Sequence, residues 1–208
     1  MANTISAASA SFSLPLSLYG SFKIGTLVSR DGEEFSMWIG ANKEVVEKLK
    51  ERSLDTTDIE VQQNTSDRKR FGEGSYEEWY AKDRTPFALI HEKTQDLAAF
   101  AWFGPKPLGR KSLKYLSPEE QANEGDQKED VWHTIVYRAY GPYRGKGLMT
   151  DFVRFCMETY KEHHPGAKMW AGISADNAGS IALATKLGFK RDDALFDAEK
   201  NWLAMTLE

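Results

Sequence analysis

The latter half of the chain alternates between two hydrophobic periods. "VWHTIVYRAY" (residues 131–140) is rich in β-branched and aromatic residues and reads as a strand. "LMTDFVRFCMETYKEHH" (148–164) repeats apolar residues at helical spacing and is stopped by Pro165-Gly166. "KMWAGISA" (168–175) is again strand-like, and "NAGSIALATKLGF" (177–189) reads as a helix capped by Asn177 and ended at Gly188. This strand-helix-strand-helix unit makes the fold mixed, with helices and a sheet in one body.

The first half supplies hairpins. "FKIGTLVSRDGEEFSMWIG" predicts two strands around the turn Arg30-Asp31-Gly32. Asn42 is placed to cap a helix over "KEVVEKLKERS", and Ser75 with Glu78 has capping-box spacing before "YEEWYAKD". "PFALIHEK" and "LAAFAWFG" predict a second hairpin, and "NWLAMTL" a final strand. Residues 55–74 are polar and turn-rich and read as a loop. Residues 105–130 read as a long polar insertion, basic first and acidic after, with a helix start at Ser117-Pro118-Glu119.

The chain has 208 residues, enough for one domain, with a formal net charge of -4 that argues against a general nucleic-acid binder. Its single cysteine, Cys156, allows no internal disulfide and suits a reducing, cytoplasmic setting. No apolar run is long enough to span a bilayer. Residues 1–21 are uncharged and rich in Ser and Ala. They lack the basic start of a secretory signal and read as an extension docked on a domain of residues 22–208, with organelle targeting the lesser alternative.

The stretch "GPYRGKGLMTDFVRF" concentrates glycine and positive charge where a helix begins. The first N–H groups of a helix lack internal partners and carry partial positive charge, and glycine lets the backbone approach a ligand closely. The N–H groups of Arg144, Gly145, Lys146, Gly147, Leu148 and Met149 are therefore candidates to converge on a phosphate or diphosphate. The competing reading is a plain strand-to-helix turn with solvated cations. Neither the P-loop nor the dinucleotide glycine pattern is present.

Arg144-x-x-Gly147 before a helix, then Asn177-x-x-Ser180 and a terminal Leu187-Gly188-Phe189, resemble the GCN5-related N-acetyltransferases (GNAT). The resemblance implies a strongly twisted mixed sheet whose central parallel strands splay, with acetyl-CoA wedged between "VWHTIVYRAY" and "KMWAGISA". It implies a diphosphate on the amides of residues 144–149 and a pantetheine arm paired with backbone from Tyr137 to Ala139. Asn177 and Ser180 would meet the cofactor from the other side, and Lys146 or Lys186 would help hold phosphate. No metal is implied.

The implied chemistry is direct acetyl transfer to a primary amine, which must first lose a proton. His133 stands where the family often carries its base, and Glu92 is the second candidate. The bland readings are a strand histidine satisfying a core hydrogen bond and an exposed strand glutamate. Ala184 replaces a tyrosine that protonates the departing thiolate in many members, leaving Tyr137, Tyr140 and Tyr143 as alternatives. That replacement motivates a second hypothesis, a non-catalytic acyl-CoA-binding module; a third is an interaction domain without cofactor. The acceptor is a small molecule or peptide, with residues 55–74 and 105–130 as candidate walls of its site. A homodimer would be in keeping with the family.

Overall fold

A computed structural model describes residues 4–7, 12–117, 119 and 131–208. Its frame is a single nine-stranded sheet. The strands are β1 (Thr4–Ala7), β2 (Ser21–Val28), β3 (Glu34–Gly40), β4 (Thr85–His91), β5 (Leu97–Pro105), β6 (Trp132–Ala139), β7 (Lys168–Ser174), β8 (Lys190–Asp197) and β9 (Trp202–Leu207). Their order across the sheet is β1-β2-β3-β4-β5-β6-β7-β9-β8. All pairs are antiparallel except β6 with β7.

Helices cover both faces. Helix α1 (Lys43–Leu54), α2 (Ile59–Asn64), a π-helical turn (Arg68–Gly72) and α3 (Tyr76–Tyr80) lie on one side. Helices α4 (Leu148–His163) and α5 (Ala178–Lys186) lie on the other. The alternation of β6 feeds both layers: Ile135 packs with the α4 side and Val136 with the α1 side. Helix α4 buries the stripe Leu148, Phe152, Val153, Cys156, Met157 and Tyr160, the period that its sequence carries. The lone cysteine is thus a core residue.

Several caps are local and form as expected. The Asn42 side chain accepts from the Val45 N–H at 2.9 Å, and the Ser75 hydroxyl from the Glu78 N–H at 3.1 Å. Other expectations need correction. Residues 55–74 are not a loop: Asp58 caps α2 by accepting from the Val61 N–H, and Val61 is buried. Strand β8 was not anticipated, since its charged sequence leaves most of it exposed at the sheet edge. Residues 4–7 of the N-terminal extension pair with β2, while Phe12, Leu14 and Leu16 pack on the main core. The helix expected to start at Pro118 lies outside the described residues.

Candidate functional site

Strands β6 and β7 are paired over only three residue pairs, Trp132 with Lys168, His133 with Met169 and Thr134 with Trp170. Beyond them β6 continues to Ala139 and β7 to Ser174 without joining. Each stays bonded to its outer neighbour, β5 and β9 respectively. The sheet therefore opens into a wedge whose two inner edges are main chain.

A cavity occupies this wedge. Its lining includes Val136 and Tyr137 on one edge and Gly172 and Ser174 on the other. It draws Asn177 and Ser180 from the α5 side, and Ser66, Arg70, Ser112 and Lys114 from the α1 side. The cavity thus takes its lining from both faces of the sheet. Residues 64–70 and 112–115 meet over it: the Lys114 N–H donates to the Ser66 hydroxyl at 3.2 Å, and the Ser66 and Ser112 hydroxyls lie 3.4 Å apart.

The glycine-rich loop stands at the wide end of β6. Gly145 and Gly147 have φ of +76° and +74°, which a side chain disfavours; around Gly145 there is open space, so conformation and not crowding calls for glycine there. Gly147 is the N-cap of α4 and gives it no side-chain cap, whereas Asn42, Asp58, Ser75 and Asn177 cap α1, α2, α3 and α5. Leu148 is buried in the core and Met149 packs against it, so both contribute backbone only.

The loop's cations are engaged elsewhere. Arg144 pairs with Asp58 at 2.7 Å and Glu60 at 2.8 Å, which ties the loop to α2. Lys146 pairs with Glu33, with Asp31 at 4.0 Å, and its pKa is raised chiefly by the Glu33 contact. A cation that the sequence did not point to stands closer: the Arg30 guanidinium lies 3.7–3.8 Å from where a Cβ on Gly147 would be. The β2–β3 turn carries it there.

On the far edge, Asn177 accepts from the Ser180 N–H at 3.0 Å as the cap of α5. Tyr137 reaches across the wedge and donates its phenol to the Ser180 carbonyl at 2.9 Å. Burial pushes the Tyr137 pKa well up, so the phenol stays protonated. Ala139 lies at the end of β6, paired with Ala99 on its outer side only.

The other predicted residues are not at the cavity. His133 lies at the closed end, buried, with Nδ1 2.6 Å from the Tyr160 hydroxyl and its ring against His164. Glu92 is on the surface beside Lys23 at 2.7 Å. Lys186 is exposed at the end of α5, where its carbonyl accepts from Arg154 at 3.4 Å. Tyr140 is fully buried in the second core, and Tyr143 is held by Thr94 and Asp96 at 3.0 and 2.9 Å. Among the described residues the cavity lining holds neither a carboxylate nor an imidazole.

A sequence model described as an acetyltransferase (GNAT) domain matches residues 28–190. The chain belongs to the GNAT family. No curated protein matches it in sequence. Among solved structures it is similar to the GNAT domain of S. lividans PAT, at 11% identity and a TM-score of 0.60. That match covers 88% of this chain and 94% of the other. It is also similar to an acetyltransferase from Agrobacterium tumefaciens, at 11% identity and a TM-score of 0.57 over 90% and 96% of the two chains. An uncharacterised protein from Bacillus halodurans gives 13% identity and 0.56 over 91% of each. At such identities the likeness is one of fold.

GNAT proteins use acetyl-CoA, and the site fits that group. The N-cap of α4 is a glycine with no side chain of its own to cap the helix, there is open space around Gly145, and the wedge offers main-chain edges to a narrow arm. Among the described residues no three His, Cys, Asp or Glu side chains stand together as a metal site.

The sequence reading missed Arg30, Arg70 and the paired serines Ser66 and Ser112. Its only pointer was the expectation that residues 55–74 and 105–130 form walls. Both segments do reach the cavity.

Proposed function

We propose that this GNAT chain transfers the acetyl group of acetyl-CoA directly to a primary amine. The observation that carries this reading is the cavity where β6 and β7 part, lined from both faces of the sheet, at which a thioester arm and an amine would meet. When bound, acetyl-CoA supplies an activated acyl thioester. The amides at residues 144–149, with Arg30 beside them, would hold its diphosphate; the inner edges of β6 and β7 would pair with the arm. Asn177, already committed as a cap, would present its remaining amide group from the α5 side.

The amine nitrogen forms the new bond to the acyl carbon as the carbon–sulfur bond breaks. No acid or base among the described residues lines the cavity apart from Lys114, Tyr115, Tyr137 and Arg70. The reading therefore has the amine enter as the free base and shed its second proton to water. Tyr137 is the proton donor to the departing sulfur, regaining its proton from solvent. It replaces the donor that Ala184, buried on α5, cannot be.

The test has two parts. Acetyl-CoA should raise the melting temperature of the full chain, because a ligand selective for the folded state stabilises it. A screen of amino acids, polyamines, aminoglycosides and peptides should then release free CoA thiol. Stabilisation with no release on any amine would favour the non-catalytic acyl-CoA module. No stabilisation would remove the cofactor reading altogether.

A further inference from the structure

Lys114 sits in a short 3-10 turn (Leu113–Tyr115) at the α1 side of the cavity. The turn is fastened to the segment facing it. The Lys114 N–H donates to the Ser66 hydroxyl at 3.2 Å, and its Nζ donates to the Gln63 carbonyl at 2.9 Å. Main chain and side chain are thus both tied to residues 63–66. The Nζ also stands 4.7 Å from the centroid of the Tyr115 ring, and Tyr115 lines the cavity beside it.

Of the side chains in the described lining, Lys114 carries the one primary amine. Its setting differs from that of Lys23, Lys48, Lys111, Lys146 and Lys168. Those five pair with carboxylates, which favour the charged form that cannot act as a nucleophile. Lys114 instead meets a peptide carbonyl and an aromatic face, and it is half-buried. Burial lowers its pKa, so more of it is the neutral amine than in a solvated lysine. Its four-carbon stem is flexible, so rotation alone can turn the amine from Gln63 toward the wedge.

We infer that Lys114 is a self-modification site: when no acceptor is present, its Nζ takes the acetyl group of the thioester bound in the wedge. This rests on the acetyl-transfer reading above. The ammonium first releases one proton to water. The Nζ lone pair then bonds the acyl carbon as the carbon–sulfur bond breaks and its electron pair leaves on sulfur. The nitrogen sheds one further proton to water, and the thiolate takes one from Tyr137, which solvent replaces. The products are free CoA thiol and an Nε-acetyl-lysine at the cavity wall, larger than before and without charge. Proximity selects this lysine, because a nucleophile held beside the thioester reacts within one complex.

The experiment incubates the full chain with acetyl-CoA carrying a deuterium-labelled acetyl group and no added amine. Peptide mass mapping follows each lysine with time. Lys114 should take the label about tenfold or more faster than any other lysine. Its rate should saturate with acetyl-CoA and stay constant as the chain is diluted, and one CoA thiol should appear per label. Lys114→Arg keeps a cation there; it should lose the label and the matching thiol while acetyl-CoA still raises its melting temperature. If that variant does not fold, the map of the parent chain decides.

Label spread over the surface lysines with Lys114 no faster than they are would overturn the inference. So would equal labelling of Lys114 in urea, or a rate that grows with chain concentration. If acetyl-CoA stabilises the chain and an added amine releases thiol while Lys114 stays unlabelled, this inference fails alone. If acetyl-CoA does not stabilise the chain, the acetyl-transfer reading falls too.

Discussion

Tyr137 shows how a single side chain bridges the two halves of the wedge. It leaves β6, crosses to the α5 side and ends on the Ser180 carbonyl. Because its pKa is raised by burial, it holds a proton at any working pH, and on the acetyl-transfer reading its O–H is the donor that meets the departing sulfur. Tyr137→Phe should lower kcat by about 10²-fold with acetyl-CoA affinity unchanged, the size expected for loss of a general acid. Single-turnover kinetics with titration calorimetry would check this, and an unchanged kcat would strip Tyr137 of the role. At this scale the sequence spoke clearly only where partners are near. Asn177 caps a residue three positions on, and its role was legible. Arg144 and Lys146 were legible as cations beside a loop, but their partners Asp58 and Glu33 lie 86 and 113 positions away. No local pattern could announce those pairs, nor that Arg30 would arrive at Gly147 from a distant turn.

Among elements, β7 carries a tight steric constraint at its glycine. A Cβ on Gly172 would lie 2.9 Å from the Trp202 ring, which is 2% exposed on the neighbouring strand and has nowhere to move. Gly172→Ala should therefore destabilise the fold by about 1–3 kcal/mol, the usual cost of overpacking. Urea unfolding followed by tryptophan fluorescence measures it, and a variant as stable as the parent would show that Trp202 has room. The strands and the long helix α4 were readable because burial imposes a period on them. Helix α2 and the turn after it were not. Their residues are polar, and what orders them is tertiary: the Asp58 cap, the burial of Val61 and the ion pairs of Asp67. Strand β8 escaped for the same reason, since pairing with β9 defines it more than its charged composition does.

Taken whole, the molecule packs buried apolar clusters on both faces of a single sheet, and the closed end of the wedge is sealed by aromatic and imidazole rings. Tyr160 stacks on His164 at 4.4 Å between centroids and meets His133 at its hydroxyl. Burial, and then the neighbouring His163, lower the His164 pKa below its ordinary 6.5. Below that value the unfolded chain binds a proton that the folded chain refuses. The stability His164 contributes is thus complete above about pH 6.5 and is lost as the pH falls toward its folded pKa. The urea midpoint should drop as the pH falls below about 6.5, and His164→Phe should flatten the decline. Equal slopes for parent and variant would place the acid sensitivity elsewhere. The overall architecture was legible because it rests on the order of periodic segments, a one-dimensional property.

The parting of β6 from β7 has one more consequence. A clasp built from peptide groups takes no notice of which side chains decorate it. On the acetyl-transfer reading, the walls that choose the acceptor can drift in identity while the hold on the acyl donor endures, so novelty in what is modified comes without rebuilding the tool that modifies it.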